Sequence, residues 1–149
     1  MMTTFPSFDR APFRVTIREV SDRSFRIGET RITPATVTHA PKLHCVGYRI
    51  EYQDRVVSYS GDSQYCESLV QLCHEADFAV LDCSFPENRP GAGHLHAGQC
   101  GRVAQEAGVN QLILSHFYPI AEQYDVRAQA KGYFSGTVRL ARDLLKLRA

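Results

Sequence analysis

The sequence predicts an α/β protein with one mixed β-sheet and helices on at least one of its faces. Two observations lead to this prediction. Roughly the first 60 residues are rich in β-forming segments, and beyond them short apolar runs alternate with segments of helical period. The 149 residues suffice for one domain with a hydrophobic core. The net charge of +1 provides no general attraction to nucleic acid or to anionic lipid.

The N-terminal part is predicted to be mainly β-structure. Residues 1–12 contain two prolines and no clear period, so we expect a loose lead-in, followed by a domain over residues 13–149. Alternating or β-branched runs predict strands over 13–20, 24–27, 31–39, 45–52 and 55–60. The last two strands are expected to form a hairpin around Gln53 and Asp54.

The C-terminal part alternates helices and strands. Apolar residues spaced at i, i+3, i+4 and i+7 predict a helix over about 64–75, and a second helix is predicted over 97–107. Continuous apolar runs predict buried strands over 78–85 and 111–117. Residues 120–131 look helical, and the last 14 residues fit either a final helix or two short strands around Asp143.

Cysteine usage and hydropathy favour a cytoplasmic protein. The five cysteines are odd in number, form no CxxC pair and lie mostly in apolar runs, which predicts reduced, largely buried thiols. No apolar stretch approaches the roughly 20 residues of a membrane-spanning helix. We therefore expect no membrane partner.

Several ionisable residues lie near the ends of predicted strands or open a loop. They are Asp62, Asp82, His39, His94 and His116. Each histidine taken singly is more readily explained as a polar residue with a satisfied hydrogen bond, and Asp62 or Ser63 could simply cap the following helix. Taken together, imidazole and carboxylate groups at converging strand ends are suitable ligands for Zn²⁺, Mn²⁺ or Fe.

The order of motifs resembles a known family. The segments THAPKLHCVGYRI, SGDS, VLDCSF, GHLHAGQ and LSHFYP, with a closing ARD, look like the C-terminal half of a metallo-β-lactamase-fold hydrolase, nearest to the RNase Z-like branch. The resemblance implies half of a four-layer αββα sandwich. It also implies a metal-dependent hydrolase that cleaves a phosphodiester or related ester bond with metal-activated water.

The resemblance also implies roles for single residues. His39, Asp62 and His116 would be metal ligands, with Asp62 bridging two zinc ions in the complete fold; manganese or iron is also possible. His44 is the alternative to His39, and we favour His39. His94, paired with Asp82, would protonate the leaving oxygen or stabilise the charge of the transition state. His96 is expected to be a surface residue in the first turn of a helix.

The resemblance leaves part of the family's site unaccounted for. The family's HxHxDH motif is absent. The chain would therefore be a fragment that is inactive alone, would pair with a second copy or with a chain that supplies the N-terminal half, or, as the least favoured alternative, would use His39, Asp62 and His116 as a mononuclear site. Only 22 residues separate His39 from Asp62, which leaves no room for a tRNA-binding arm and favours a small phosphodiester or ester substrate. The alternative function is a non-catalytic half-domain that dimerises or docks on another protein through an uncovered sheet face.

Overall fold

The described part of the chain forms one seven-stranded sheet with three short α-helices. The computed structural model describes residues 22–147 continuously, and residues 12, 13, 16 and 19 besides. The strands are β1 (Phe25–Ile27), β2 (Thr30–Val37), β3 (Cys45–Tyr52), β4 (Arg55–Tyr59), β5 (Phe78–Asp82), β6 (Gln111–Ser115) and β7 (Thr137–Leu140). The helices are α1 (Glu67–Leu72), α2 (Ala97–Glu106) and α3 (Val126–Lys131), with a 3₁₀ turn over Ala121–Gln123. This mixed sheet with helices confirms the predicted α/β class.

The strands are arranged in the sheet in their order along the chain. Strands β1 to β4 pair antiparallel, whereas β4 to β7 pair parallel through crossovers that contain the helices. Parallel neighbours need such crossovers, because a tight turn can only reverse the chain. The carboxyl ends of β4, β5, β6 and β7 therefore meet along a single edge of the sheet.

The main core lies between the sheet and the helices. Leu81 and Leu114 pair in register on β5 and β6, and both side chains are completely buried. Gly47 on β3 lies directly under α1, where an added Cβ would come within 2.7 Å of Leu72 Cδ2 and 2.9 Å of the Tyr59 carbonyl oxygen. A glycine is therefore needed for α1 to pack this closely on the sheet.

No helix among the described residues packs on the opposite face of the sheet. A row of apolar side chains crosses it in register, from Tyr48 and Tyr59 to Val80 and Ile113. Their exposure is uneven, because Ile113 is 2% exposed whereas Tyr59 is 45% exposed. The face is therefore largely apolar, and only part of it is exposed to solvent.

The structure alters several predicted boundaries. The helix predicted over 64–75 is only six residues long, and its N-cap position is Cys66, so neither Asp62 nor Ser63 caps it. The helix predicted over 120–131 divides into the 3₁₀ turn and α3, and the ambiguous C-terminal segment forms one strand, β7. The strand predicted over 13–20 and the lead-in over 1–12 fall largely outside the described residues, so that division stays a prediction.

The cysteines are all free, and they differ in environment. Cys73, Cys83 and Cys100 are buried, whereas Cys45 and Cys66 are half-buried. Burial raises the pKa of the Cys73 thiol to about 12. At Cys66 burial also opposes ionisation, but hydrogen bonds to the Ser68 hydroxyl and to the backbone outweigh it and lower the pKa of this thiol.

Candidate active site at the ends of the parallel strands

Three predicted site residues stand at consecutive strand ends. Asp62 follows β4 by three residues, Asp82 is the last residue of β5, and His116 comes directly after β6. Ligands of open α/β sheets bind at the carboxyl ends of the strands, where loops replace the packed core. The parallel order of β4, β5 and β6 is therefore what brings these distant residues together.

Asp62, His94 and His116 form a cluster of possible metal ligands. One ligand atom from each of the three residues lies within 4.8 Å of the others. His116 Nε2 is 3.5 Å from Asp62 Oδ1, and both side chains are a little under half exposed. Two imidazole groups and one carboxylate suit zinc, and they also suit manganese or iron. The donor set therefore fits a divalent metal ion that retains access to solvent.

His94 is oriented by the buried carboxylate of Asp82. His94 Nδ1 lies 2.7 Å from Asp82 Oδ2, and the Asp82 side chain is completely buried. Aspartate has the shorter of the two acidic side chains, and its carboxylate nevertheless reaches the imidazole. A carboxylate at Nδ1 favours the tautomer that holds its proton there, so Nε2 is left to face the site.

The same carboxylate holds two loops in place. Its oxygens accept hydrogen bonds from the backbone N–H of Ser63 at 3.1 Å and of Ser84 at 3.1 Å. The Ser84 hydroxyl lies 2.6 Å from Asp82 Oδ1 and 3.1 Å from the carbonyl oxygen of His116. Asp82 therefore has a structural role in addition to orienting His94.

His39 lies beside this cluster. Its Nδ1 is 2.7 Å from the carbonyl oxygen of Gly93, and its ring centroid is 4.8 Å from that of His94. Gly93 has a φ of +86°, which favours glycine. Because a carbonyl oxygen can only accept a hydrogen bond, the Nδ1–H of His39 donates to Gly93, and Nε2 is left available as a ligand. His44 is exposed, and among the described residues it is not part of the cluster of possible ligands.

Tyr118 belongs to the site and was missed by the sequence analysis. Its hydroxyl is 3.2 Å from His94 Nε2, so both nitrogens of His94 have a partner. The Tyr118 ring lies 5.2 Å from the rings of His94 and Phe85, and 5.6 Å from that of His116. Its position two residues after His116, in the HFYP segment, was the available signal.

The backbone of His116 adopts an uncommon conformation. Its φ is +58°, in the left-handed region that residues with a Cβ rarely occupy. Such conformations persist where the surroundings hold them, and they are frequent at functional sites. Here Ser84 contacts the carbonyl oxygen of His116.

His96 has a structural role that differs from the prediction. It is the N-cap of α2 and is half-buried, so it is neither in the first turn nor on the surface. Its Nδ1 accepts the backbone N–H of Gln99 at 3.4 Å, and the Gln99 side chain bonds back to the His96 N–H at 3.2 Å. Burial lowers the pKa of the His96 imidazole, which keeps the ring neutral and able to accept.

Comparison with known proteins identifies the family. The family described as β-lactamase superfamily domain matches residues 2–117. The probable metallo-hydrolase YhfI of Bacillus subtilis is 32% identical over 114 residues, which cover 73% of this chain and 47% of YhfI. A ribonuclease Z of Streptomyces coelicolor is 37% identical over 93 residues, which cover 58% of this chain and 31% of that protein.

The fold agrees with the sequence matches. The crystal structure of YhfI superposes with a TM-score of 0.81 at 28% sequence identity, covering 94% of this chain and 59% of that one. The chain thus spans about half or less of the length of the curated relatives named here. Among the described residues, none of the helices has the length and apolar character needed to cross a bilayer. The chain belongs to the β-lactamase superfamily, and its fold is that of the metallo-β-lactamase-fold hydrolases.

Proposed function

We propose that this chain provides the C-terminal half of the active site of a metal-dependent phosphodiesterase. The observation that carries the proposal is the hydrogen-bonded pair Asp82–His94 directly beside Asp62 and His116. A pair of this kind can donate or accept a proton next to a metal-activated water, which is what ester hydrolysis requires. The similarity to a ribonuclease Z supports a phosphodiester as the bond that is cleaved.

Asp62, His116 and His39 are proposed to hold the metal. Zinc is the preferred ion, with two ions when the family's remaining ligands are present, and manganese or iron as alternatives. A bound divalent ion would lower the pKa of a coordinated water and polarise the scissile bond. The Nδ1 hydrogen bond of His39 supports its assignment over His44, since ligand histidines usually donate their second N–H to an acceptor.

His94 is proposed to protonate the leaving oxygen or to stabilise the charge that develops on it. The Asp82 carboxylate accepts the Nδ1–H of His94 and fixes the direction of Nε2. The Tyr118 hydroxyl, which lies near Nε2, marks the position that a substrate oxygen would take. Substrate binding would therefore displace Tyr118 from His94.

Metal content of the purified chain tests the proposed ligands. We expect bound zinc to be lost in Asp62→Ala and in His116→Ala, and to persist in His74→Ala, which removes an exposed histidine that is not part of the cluster. His39→Ala should weaken zinc binding, whereas His44→Ala should not. Zinc that remains bound in both Asp62→Ala and His116→Ala would overturn the ligand assignment.

The role of His94 requires a separate measurement, because its donor atom also lies in the cluster. We expect His94→Ala to retain zinc and to lose hydrolysis of bis(p-nitrophenyl) phosphate, measured with the missing half of the fold supplied in trans. Loss of zinc in His94→Ala would make it a ligand instead. No hydrolysis by the unaltered chain in this complemented assay would refute the proposed enzymatic activity.

The substrate is proposed to be small. The hairpin of β3 and β4 takes up most of the chain between His39 and Asp62, so no tRNA-binding arm fits there. A cytoplasmic location is proposed on the basis of five cysteines without a disulfide. Equal cleavage of a tRNA precursor and of a dinucleotide would contradict the preference for a small substrate.

A second candidate function is that of an interaction module. The apolar row on the face opposite the helices, with Tyr59 45% exposed, favours docking of a second copy or of a partner that supplies the N-terminal half. Light scattering of the chain and of Tyr59→Glu tests this candidate. A dimer that the substitution dissociates would support it, and a monomer in both samples would exclude self-association.

A further inference from the structure

We propose that the groove along the outer edge of β7 binds a second phosphate group of the substrate. The inference rests on the proposed function, since it specifies the substrate class of the same site. The groove has a volume of about 690 Å³ and is lined by β7, by Arg127 of α3, and by Ala141, Arg142 and Leu145. Among the described strands β7 has a neighbour on one side only, so the groove lies against an open edge.

Three arginines give the groove a strong positive charge. Arg127, Arg139 and Arg142 all line it, and none of its lining residues is acidic. No carboxylate in residues 22–147 comes within 4.0 Å of any of the three guanidinium groups. Like charges placed together without a counter-charge repel one another, and a bound anion would relieve that repulsion.

The guanidinium groups of the groove favour a phosphate as the bound anion. A guanidinium group offers several N–H donors in a planar fork that matches two oxygens of a phosphate. The Nε–H of Arg139 donates to Gln111 Oε1 at 3.2 Å, which orients its guanidinium while leaving the terminal nitrogens for a ligand. A phosphate group therefore fits this groove better than an apolar or cationic group.

The position of the groove connects it to the proposed active site. The backbone N–H of Ala141 donates to the carbonyl of Leu114 at 2.8 Å, so pairing with β6 continues to the residue before Arg142. Arg142 therefore follows β7 at the same end of the sheet at which His116 follows β6. Adjacent strands are about 4.8 Å apart, so the backbone at Arg142 lies about one strand spacing from the backbone at His116.

The substrate inferred from this arrangement is a phosphodiester that also has a terminal phosphate. One phosphorus would lie at the cluster of Asp62, His94 and His116, and the terminal phosphate would lie among the arginines. A dinucleotide with a 5′-phosphate has this composition. A substrate without the terminal phosphate would lose the contacts to the groove.

Binding of two dinucleotides, identical except for the 5′-phosphate, tests the inference. NMR spectra of the arginine Nε–H groups report binding directly, without added metal and without turnover. We expect the phosphorylated dinucleotide to bind about tenfold more tightly at low salt. Arg139→Gln and Arg142→Gln should each reduce that preference about two- to fivefold, as for partly exposed ion pairs. Arg142→Lys should restore part of it, because the charge remains without the fork.

A matched control is available on α2. Arg102 lies over the Tyr133 ring, 4.6 Å from its centroid, and is not among the groove residues. Arg102→Gln should leave the preference unchanged. Equal affinity for the two dinucleotides would overturn the inference, as would an equal loss of preference in Arg102→Gln. Orthophosphate that shifts the same signals as tightly as the phosphorylated dinucleotide would assign the groove to the free anion and overturn the substrate claim.

The outcomes also separate this inference from the proposed function. One outcome is a phosphate preference that depends on Arg139 and Arg142, without metal binding and without hydrolysis. It would support the groove as an anion site and refute only the proposed phosphodiesterase activity. Hydrolysis at equal rates of the two dinucleotides, with unchanged rates in both arginine variants, would refute only the groove.

Discussion

Asp82→Asn is expected to destabilise the whole fold, in addition to its effect on the proposed chemistry. Each oxygen of the Asp82 carboxylate faces two donors. Oδ2 faces the N–H of Ser63 and His94 Nδ1, and Oδ1 faces the N–H and hydroxyl of Ser84. The amide of asparagine places an NH₂ group on one of these sides. Histidine can change tautomer and a hydroxyl can rotate, but a backbone N–H cannot reverse its direction.

At least one backbone N–H is therefore left without an acceptor in a fully buried position. An unsatisfied buried donor costs about 1–3 kcal/mol, and loss of the charge weakens the hydrogen bonds that remain. We expect the free energy of unfolding to fall by about 2–4 kcal/mol. This is a large share of the roughly 5–15 kcal/mol that stabilises a typical domain.

Urea unfolding at pH 7, followed by circular dichroism, measures this change. Asp62→Asn is the matched control, because the Asp62 side chain is 47% exposed and its only polar contact among the described residues is His116 at 3.5 Å. The control should change the free energy of unfolding by less than about 0.5 kcal/mol. Equal stabilities of the two variants would refute the reasoning that the Asp82 carboxylate holds the loops.

Three further predictions concern pH, packing and thiol chemistry. Hydrogen bonding by the backbone N–H of Val56 lowers the pKa of Asp77, so its stabilising contribution is present above the unfolded pKa of about 4 and is lost as pH falls. The stability difference between the wild type and Asp77→Asn, measured by urea unfolding, should therefore shrink from pH 7 to pH 3, and a constant difference would contradict this assignment. Gly47→Ala should cost about 1–3 kcal/mol, because its Cβ would overlap Leu72; an unchanged thermal unfolding midpoint would contradict the close packing of α1. Cys66 should react first with a thiol reagent at pH 8, and Cys66→Ser should remove that phase, whereas the buried thiols should react only in urea.

Much of the fold was predictable, since it depends on hydrophobic period and strand order. The apolar runs around Leu81 and Leu114 correctly predicted two buried strands, and the helical period correctly predicted α2. The length of α1 was not predictable from period alone. The chain from Gly61 to Cys66 is not helical, and its tertiary contacts override the apolar spacing. One such contact is the hydrogen bond from Gln64 N–H to the carbonyl of Thr38.

The sequence indicated which residues form the site better than it indicated how they are arranged. The order of motifs correctly indicated the metallo-β-lactamase fold, and the strand ends brought Asp62, Asp82 and His116 to one edge. The position of Tyr118 depends on the left-handed turn at His116, which histidine adopts only where tertiary contacts hold it. The capping role of His96 depends on its own side-chain rotamer, which the sequence does not specify.

The parallel order of β4 to β7 gives the residues at the carboxyl end of the sheet a regular spacing. The chain leaves these four strands towards Asp62, Asp82, His116 and Arg142 in turn, and each step across the sheet is about 4.8 Å. The full row therefore measures about 14 Å. Under the proposed function, backbone pairing would therefore set the distance between the cluster at Asp62 and His116 and the groove at β7, whatever the sequence and length of the crossover loops.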